Sequence, residues 1–124
     1  MTAYPVLRYR DARAAIDWLE RAFGLECKEA HEGPDGAVVH AELRAGKGLV
    51  MLGTDRDSDG LGPRAGVGSV YVAVEDPGAL HERAAAAGAE IIRPLVDTDY
   101  GSREFSAKDV EGNHWSFGTY APEP

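Results

Sequence analysis

The feature that most constrains the fold of this chain is a pattern of one strand, one helix and three strands that occurs twice. Residues 4–9 and residues 67–74 are short β-prone runs, and apolar residues at helical spacing follow each of them. Three further strand candidates come after each helix, at 25–32, 37–44 and 49–52 in the first copy and at 90–96, 103–108 and 114–120 in the second. Laying Asp11 on Asp76 superimposes the copies at an offset of about 65 residues. The sequence therefore predicts an α+β fold built from two βαβββ modules.

Local signals mark where each predicted helix begins and ends. Asp11 can cap the first helix, and Gly24 stands where a left-handed residue often ends one. In the second copy, Asp76 precedes a proline at the first helical position, and Gly88 follows the last turn. Residues 53–66 are polar and rich in glycine, which is typical of a linker. We therefore expect a single domain over residues 1–124, with module 1 at 1–53, a linker at 54–66 and module 2 at 67–120.

Composition limits the classes of partner. The chain has 124 residues, 44% of them hydrophobic, which is enough for one domain with its own core. The formal net charge of -8 disfavours nucleic acid and favours cationic ligands. Cys27 is the single cysteine, which is commoner in a reducing compartment, and no apolar run reaches the roughly 20 residues of a membrane span. We expect a cytoplasmic protein with no nucleic-acid or membrane partner.

Two stretches of sequence resemble a known superfamily. Residues 9–25, YRDARAAIDWLERAFGL, are similar to the first helix of glyoxalase-like and bleomycin-resistance proteins. Residues 100–105, YGSREF, and 109–117, DVEGNHWSF, are similar to the C-terminal signature of the same branches. The chain thus resembles the vicinal-oxygen-chelate superfamily of glyoxalases, bleomycin-resistance proteins and dioxygenases. The resemblance implies two modules that form a cupped mixed sheet with the functional site inside, and commonly a homodimer.

Alternation along the strands assigns side chains to the two sheet faces, because residues two apart point the same way. Apolar residues mark the face under the helices, and the remaining residues look into the cup. This predicts a covered side made of Pro5, Leu7, Tyr9, Val50, Leu52, Val70, Val72, Val74, Trp115 and Phe117. Trp18 also follows the core pattern.

The resemblance also locates the four positions that bind the metal in metal-dependent members. They fall on Tyr4, Met51, Ser69 and Ser116. Phenol, thioether and neutral hydroxyl groups are poor ligands for a first-row transition metal, so we expect no metal cofactor. Glyoxalase-type isomerisation and extradiol ring cleavage both need the metal, and both lose support. His40 and His114 could face the cup, but the four histidines show no ligand spacing, and a hydrogen-bonded role is the preferred interpretation.

Three functions remain open. The first is a metal-free protein that binds a small molecule, with antibiotic sequestration as one version, using a pocket lined by Tyr4, Arg8, His40, Met51, Ser69, Tyr71, Arg103, His114 and Ser116. The second is a lyase, isomerase or dioxygenase with a non-standard metal or an acid–base site, and the third is an accessory domain whose cup its own side chains fill. Arg103 and Glu104 could each anchor a ligand or pair with a neighbour, and Tyr100 could stack on a ligand or pack. Asp109 and Glu111 are expected to be solvated turn residues.

Overall fold

The structure, a computed structural model that describes residues 1–55 and 64–123, contains the duplicated element order. The first unit comprises β1 (Val6–Tyr9), α1 (Ala12–Phe23), β2 (Glu26–Glu32), β3 (Val38–Ala45) and β4 (Gly48–Thr54). The second comprises β5 (Ser69–Ala73), α2 (Pro77–Ala86), β6 (Glu90–Asp97), β7 (Arg103–Lys108) and β8 (His114–Gly118). The predicted α+β class and the two βαβββ units are confirmed. Most of the proposed linker lies outside the described residues.

Each unit forms one four-stranded mixed sheet. The strand orders are β1-β4-β3-β2 and β5-β8-β7-β6, and the first two strands of each order are parallel. Val6 lies opposite Met51 in the first sheet, and Tyr71 lies opposite Ser116 in the second. Both members of the second pair stand 65 positions after their counterparts. The sequence repeat is therefore also a repeat of strand register.

The helix boundaries follow the predicted caps. The side chain of Asp11 accepts a hydrogen bond from the backbone N–H of Ala14 at 3.1 Å, and Asp76 caps α2 in the same way. Gly24 ends α1 with φ of 70°, a left-handed conformation that glycine adopts without steric cost. Arg83 of α2 donates to the backbone carbonyls of Glu20 and Arg21, which closes the end of α1 against the second unit.

One hydrophobic core joins the two units. Helix α1 contributes more of it than α2 does, with seven buried residues against two. Phe23 packs against Trp115 and Phe117 of the second sheet, with ring centroids 5.4 and 4.9 Å apart. The predictions that Trp18 and Trp115 are core residues are confirmed, since they are 8% and 0% exposed. Burial of large aromatic side chains between the units is the main attraction that holds them together.

The turn between β7 and β8 fastens the second unit to the first. Asp109 is buried and accepts hydrogen bonds from the hydroxyl of Tyr9 at 2.5 Å and from the indole N–H of Trp115 at 2.9 Å. Glu111 accepts from the backbone N–H groups of Arg10 and Asp11, just before α1. The expectation that Asp109 is a solvated turn residue is therefore wrong. Its carboxylate is retained in the interior because several N–H and O–H donors surround it.

The strand parity fails at the N-terminus. Pro5, predicted on the covered face, is exposed, although its carbonyl accepts a hydrogen bond from the N–H of Met51 at 3.0 Å just before β1 begins at Val6. From Val6 onward the assignment holds, and Leu7 and Tyr9 are buried.

Among the helices that the structure describes, neither is long and apolar enough to cross a membrane.

Candidate functional site

Each sheet has one face that the helices do not cover, which we call its open face. On β5, Ser69, Tyr71 and Ala73 are exposed while Val70 between them is buried. On β8, Trp115 and Phe117 are buried while His114 is exposed and Ser116 is half-buried. The alternation predicted for these two strands is thus the one observed, and the polar residues of the second unit line its open face.

The open face of the first sheet contains a small recess. It has a volume of about 240 Å³ and is lined by Val6, Arg8, Val39, His40, Leu52, Gly53 and Thr54. The guanidinium of Arg8 donates to the backbone carbonyl of Thr54 at 3.3 Å. Two of the predicted pocket residues, Arg8 and His40, therefore meet here. Met51 lies beside this recess on β4, paired with Val6 and with Glu42.

Two imidazole–carboxylate pairs stand next to each other on β2 and β3. Nε2 of His40 lies 2.9 Å from Glu42, and Nε2 of His31 lies 2.8 Å from Glu29. The two imidazole rings stack, with centroids 6.1 Å apart. The hydrogen bond with His40, more than the charge of Lys28, holds the pKa of Glu42 below its ordinary value. His40 thus has the hydrogen-bonded role that sequence reasoning preferred.

On the second sheet, the parallel strands bring the predicted residues together in two rows. Ser69 lies opposite His114, and Tyr71 lies opposite Ser116. The hydroxyl of Ser116 is 2.7 Å from that of Ser106 on β7, so the two form a hydrogen bond. On β7 the two rows continue into Lys108 and Ser106, and a third row on the same face places Glu104 opposite Gly118.

Glu104 is a buried carboxylate on this open face, with 6% of its surface exposed. Its Oε1 accepts a hydrogen bond from the hydroxyl of Tyr100 at 2.8 Å and from the guanidinium of Arg93 at 3.1 Å. Burial alone would raise the pKa of Glu104, but hydrogen bonds from Tyr100, Ser102 and Arg93 outweigh it and lower the pKa. The group is therefore a negative charge held at the floor of the second sheet.

Glycines keep room at the same place in both sheets. A Cβ on Gly118 would lie 2.6 Å from both Cγ of Glu104 and the hydroxyl of Tyr71. A Cβ on Gly53, which is 65 positions earlier, would lie 2.6 Å from the backbone carbonyl of Val39. Both distances are too short for a real side chain, so both positions need glycine.

Three partly exposed tyrosines form a connected group beside Glu104, of which Tyr100 donates to the carboxylate. Tyr71, Tyr100 and Tyr120 are 40%, 65% and 52% exposed. The hydroxyl of Tyr71 donates to the backbone carbonyl of Tyr120 at 2.6 Å, and the rings of Tyr100 and Tyr120 meet edge to face. Sequence reasoning considered Tyr71, Tyr100 and Glu104 separately and missed Tyr120 and Arg93. No sequence pattern indicated Arg93 or Tyr120. The position of Arg93 depends on the irregular pairing of β6 with β7.

The four family metal positions do not fit a transition metal. Their side chains are a phenol at Tyr4, a thioether at Met51 and hydroxyls at Ser69 and Ser116, and Ser116 is already hydrogen-bonded to Ser106. Tyr4 and Met51 belong to the first unit, and the serines belong to the second. Within residues 1–55 and 64–123, no group of three His, Cys, Asp or Glu side chains is arranged to hold a metal ion.

Arg103 has a neighbour as its partner. Its guanidinium binds the carboxylate of Asp97 through two hydrogen bonds of 2.8 and 3.2 Å. It shares strand parity with Phe105 and Ala107, which are buried on the helix side. The structure thus shows the pairing alternative for Arg103, and contact of Arg103 with a ligand stays a prediction.

A second, larger cleft of about 1210 Å³ lies between the two units, beside Phe23 at the C-terminal end of α1. Its walls are mainly apolar and include Phe23, Val50, Val70, Val72, Leu80 and Phe117, with Tyr4 and Tyr71 also contributing. The turn between β3 and β4, which pairs Ala45 with Gly48, is three residues shorter than the turn at 109–113. The first unit therefore has no equivalent of the Asp109 fastening, and the cleft lies beside this shorter turn.

Comparison with known proteins agrees with this architecture. Residues 2–117 match the family described as Glyoxalase/Bleomycin resistance protein/Dioxygenase superfamily. An uncharacterised protein of Mycobacterium bovis is 34% identical over 121 residues, which span 92% of this chain and 80% of that protein. The crystal structure of TioX from Micromonospora sp. ML1 superimposes with a TM-score of 0.81 at 31% identity, over 100% of this chain and 99% of TioX. A glyoxalase I mutant from Zea mays has a TM-score of 0.74 at 23% identity, over 98% of this chain and 46% of the enzyme, and shares the fold.

Proposed function

Because the chain belongs to the Glyoxalase/Bleomycin resistance protein/Dioxygenase superfamily, we propose that it binds a small molecule on the open faces of its sheets without a catalytic metal. The observation that carries this proposal is the set of side chains at Tyr4, Met51, Ser69 and Ser116. A binding protein needs a concave apolar and aromatic surface with a few polar anchors, and needs no Lewis acid.

The open faces offer both kinds of contact. Val6 on β1, Tyr71 on β5 and Tyr4 just before β1 leave 43%, 40% and 47% of their surfaces exposed, which is a large apolar area. Ser69, His114 and Arg8 supply hydrogen-bonding groups beside them. Such a surface gains most of its affinity from burial of apolar area, and the polar groups set the orientation of the bound molecule.

A homodimer is part of the proposal. Strands β1 and β5 each end a sheet in the described part of the chain, and an edge strand is a natural place for a second copy to pair. Pairing of unit one with unit two of another copy would bring the two open faces together. We also propose a cytoplasmic location, because a lone cysteine such as Cys27 is commoner in a reducing compartment.

Antibiotic sequestration is the more specific form of this function. The net charge of -8 favours a cationic compound, and bleomycin resistance is one activity that the family description names. The positive charge of Arg8 repels a cationic ligand on the first open face, so antibiotic sequestration would use the open face of the second sheet.

A thermal-shift screen tests the proposal. The purified protein is melted with cationic antibiotics, dicarbonyl compounds and aromatic metabolites, with and without EDTA, and its oligomeric state is measured by light scattering. We expect a rise in melting temperature with at least one compound that EDTA does not abolish, because ligand binding to the native state stabilises it. Stoichiometric bound metal and an EDTA-sensitive shift would favour the lyase, isomerase or dioxygenase instead. Melting that no compound changes would favour an accessory domain.

Two matched variants locate the site. Val6→Lys places a charge on the first open face, while Val110→Lys places one on an exposed turn residue, and the wild-type valines are 43% and 52% exposed. We expect the first variant to weaken binding and the second to leave it unchanged. Equal affinities for both variants, together with shifts in NMR signals from Val70 and Val72, would instead assign binding to the cleft.

A further inference from the structure

The polar group that stands out on the second open face is the carboxylate of Glu104. Only 6% of its surface is exposed, yet the hydroxyls of two partly exposed tyrosines, Tyr100 and Tyr71, lie beside it, and Tyr120 contacts both of them. Gly118 makes this arrangement possible, because any side chain there would overlap Cγ of Glu104 and the hydroxyl of Tyr71. A buried charge costs free energy, so a sheet that needed only stability would favour an apolar residue at this position.

Among the donors to Glu104, which are Tyr100, Ser102 and Arg93, Arg93 is the charged one that a ligand cation can replace. Arg93 and Tyr100 both bind Oε1. The side chain of Arg93 is 47% exposed, whereas the side chain of Glu104 is 8% exposed. Because the Arg93 side chain is half-exposed, its guanidinium is readily hydrated when it leaves, and an incoming ammonium group keeps the buried carboxylate paired, so the exchange costs little.

We propose that Glu104 anchors a site for organic ammonium groups, with Tyr71, Tyr100 and Tyr120 as its aromatic walls. The inference rests on the proposed small-molecule function and names the class of ligand. An ammonium group forms charge-assisted hydrogen bonds with a carboxylate, and phenol rings attract cations through their negative faces. The Arg93 guanidinium occupies the carboxylate when no ligand is present and moves into solvent when one binds.

The test compares a charged probe with a neutral probe of similar shape. Benzylammonium chloride and benzyl alcohol are titrated into the full chain, and the ring resonances of the tyrosines are followed by NMR. We expect benzylammonium to bind more tightly than benzyl alcohol. Glu104→Gln should weaken benzylammonium binding at least about tenfold, because it removes a desolvated charge partner, and should leave benzyl alcohol unchanged. Glu82→Gln removes the same formal charge from an exposed position on α2 and should change neither affinity.

Arg93→Gln provides a second test whose sign differs. It removes the competing cation and keeps Glu104, so benzylammonium affinity should rise by roughly two- to fivefold, the range expected for one weak ion pair. A purely structural ion pair would give no gain. This variant also keeps the proposal open to refutation if Glu104→Gln fails to fold.

The outcomes separate this inference from the broader function. If both probes bind the wild type equally and neither variant changes the affinity for benzylammonium, the ammonium site is refuted, and a metal-free pocket for other molecules stands. If no compound in the larger screen binds, both proposals fall. Loss of benzylammonium binding in Glu104→Gln together with a gain in Arg93→Gln supports the site.

Discussion

The Asp109→Asn substitution tests how the two units are fastened together. The two carboxylate oxygens of Asp109 are both used: one accepts from Tyr9 and Trp115, and the other accepts from the backbone N–H groups of Glu111 and Asn113. An asparagine amide has one oxygen and one NH₂ group. Placed toward Glu111 and Asn113, the NH₂ meets two N–H donors. Placed toward Trp115, it meets the indole N–H, while the Tyr9 hydroxyl can turn and accept from it. One or two of the four hydrogen bonds are therefore lost.

The magnitude follows from the number of hydrogen bonds. A hydrogen bond to a charged group contributes about 1.5–3 kcal/mol, so the loss of one or two costs about 1.5–6 kcal/mol. A domain of this size has a free energy of unfolding of roughly 5–15 kcal/mol, so the variant should lose a large part of its stability. Tyr9→Phe removes a single donor, and we expect about half of that loss.

Urea unfolding followed by tryptophan fluorescence and far-UV circular dichroism measures the effect. Trp115 donates to Asp109, so its fluorescence reports on the site directly. Asp17→Asn is the matched control, because Asp17 is exposed on α1 and its replacement should change stability by less than about 0.5 kcal/mol. If Asp109→Asn unfolds within about 1 kcal/mol of the wild type, the carboxylate does not hold the units together, and the reasoning is wrong.

Three other predictions concern packing, charge and reactivity. Phe23→Ala should lower the free energy of unfolding by about 3–5 kcal/mol, because its ring packs on Trp115, and an unchanged urea midpoint would contradict this. The hydrogen bond and charge of Arg103 lower the pKa of Asp97, so their contribution to stability is present above the pKa of Asp97 in the unfolded chain and is lost as pH falls through its pKa in the folded protein. In Arg103→Gln, NMR should show the Asp97 carboxyl titrating at higher pH, and an unaltered titration would rule out the pairing. Burial raises the pKa of the Cys27 thiol, so iodoacetamide should alkylate it more slowly than free cysteine at mildly alkaline pH, and an equal or faster rate would disprove the assignment.

Local sequence signals were enough to predict the elements of this fold. The β7 boundaries, residues 103–108, are the predicted ones, and Asp11 and Asp76 both cap helices as their positions indicated. These features depend on neighbours a few residues away, and periodicity and capping chemistry report such neighbours directly. The 65-residue offset also carried over into the register of the parallel strand pairs, in which Val6–Met51 and Tyr71–Ser116 occupy equivalent positions.

Interactions between distant residues could not be read in this way. Tyr9 and Asp109 are 100 positions apart, so nothing local in the DVEGN turn indicates that its aspartate is buried. The position of Arg93 beside Glu104 depends on two irregularities in the pairing of β6 with β7. A one-residue shift in a strand reverses the face of a side chain, so simple alternation fails wherever a bulge occurs.

The paired glycines, Gly53 and Gly118, have a consequence for how this chain can change over evolutionary time. The duplicated backbone keeps the same gap in both halves, but a main-chain carbonyl fills one gap and a glutamate side chain fills the other. The two halves thus differ in the charge of the group at the gap, while the strand pairing around it is the same. A new ligand preference can arise by substitution on one half alone, with no compensating change required in its twin.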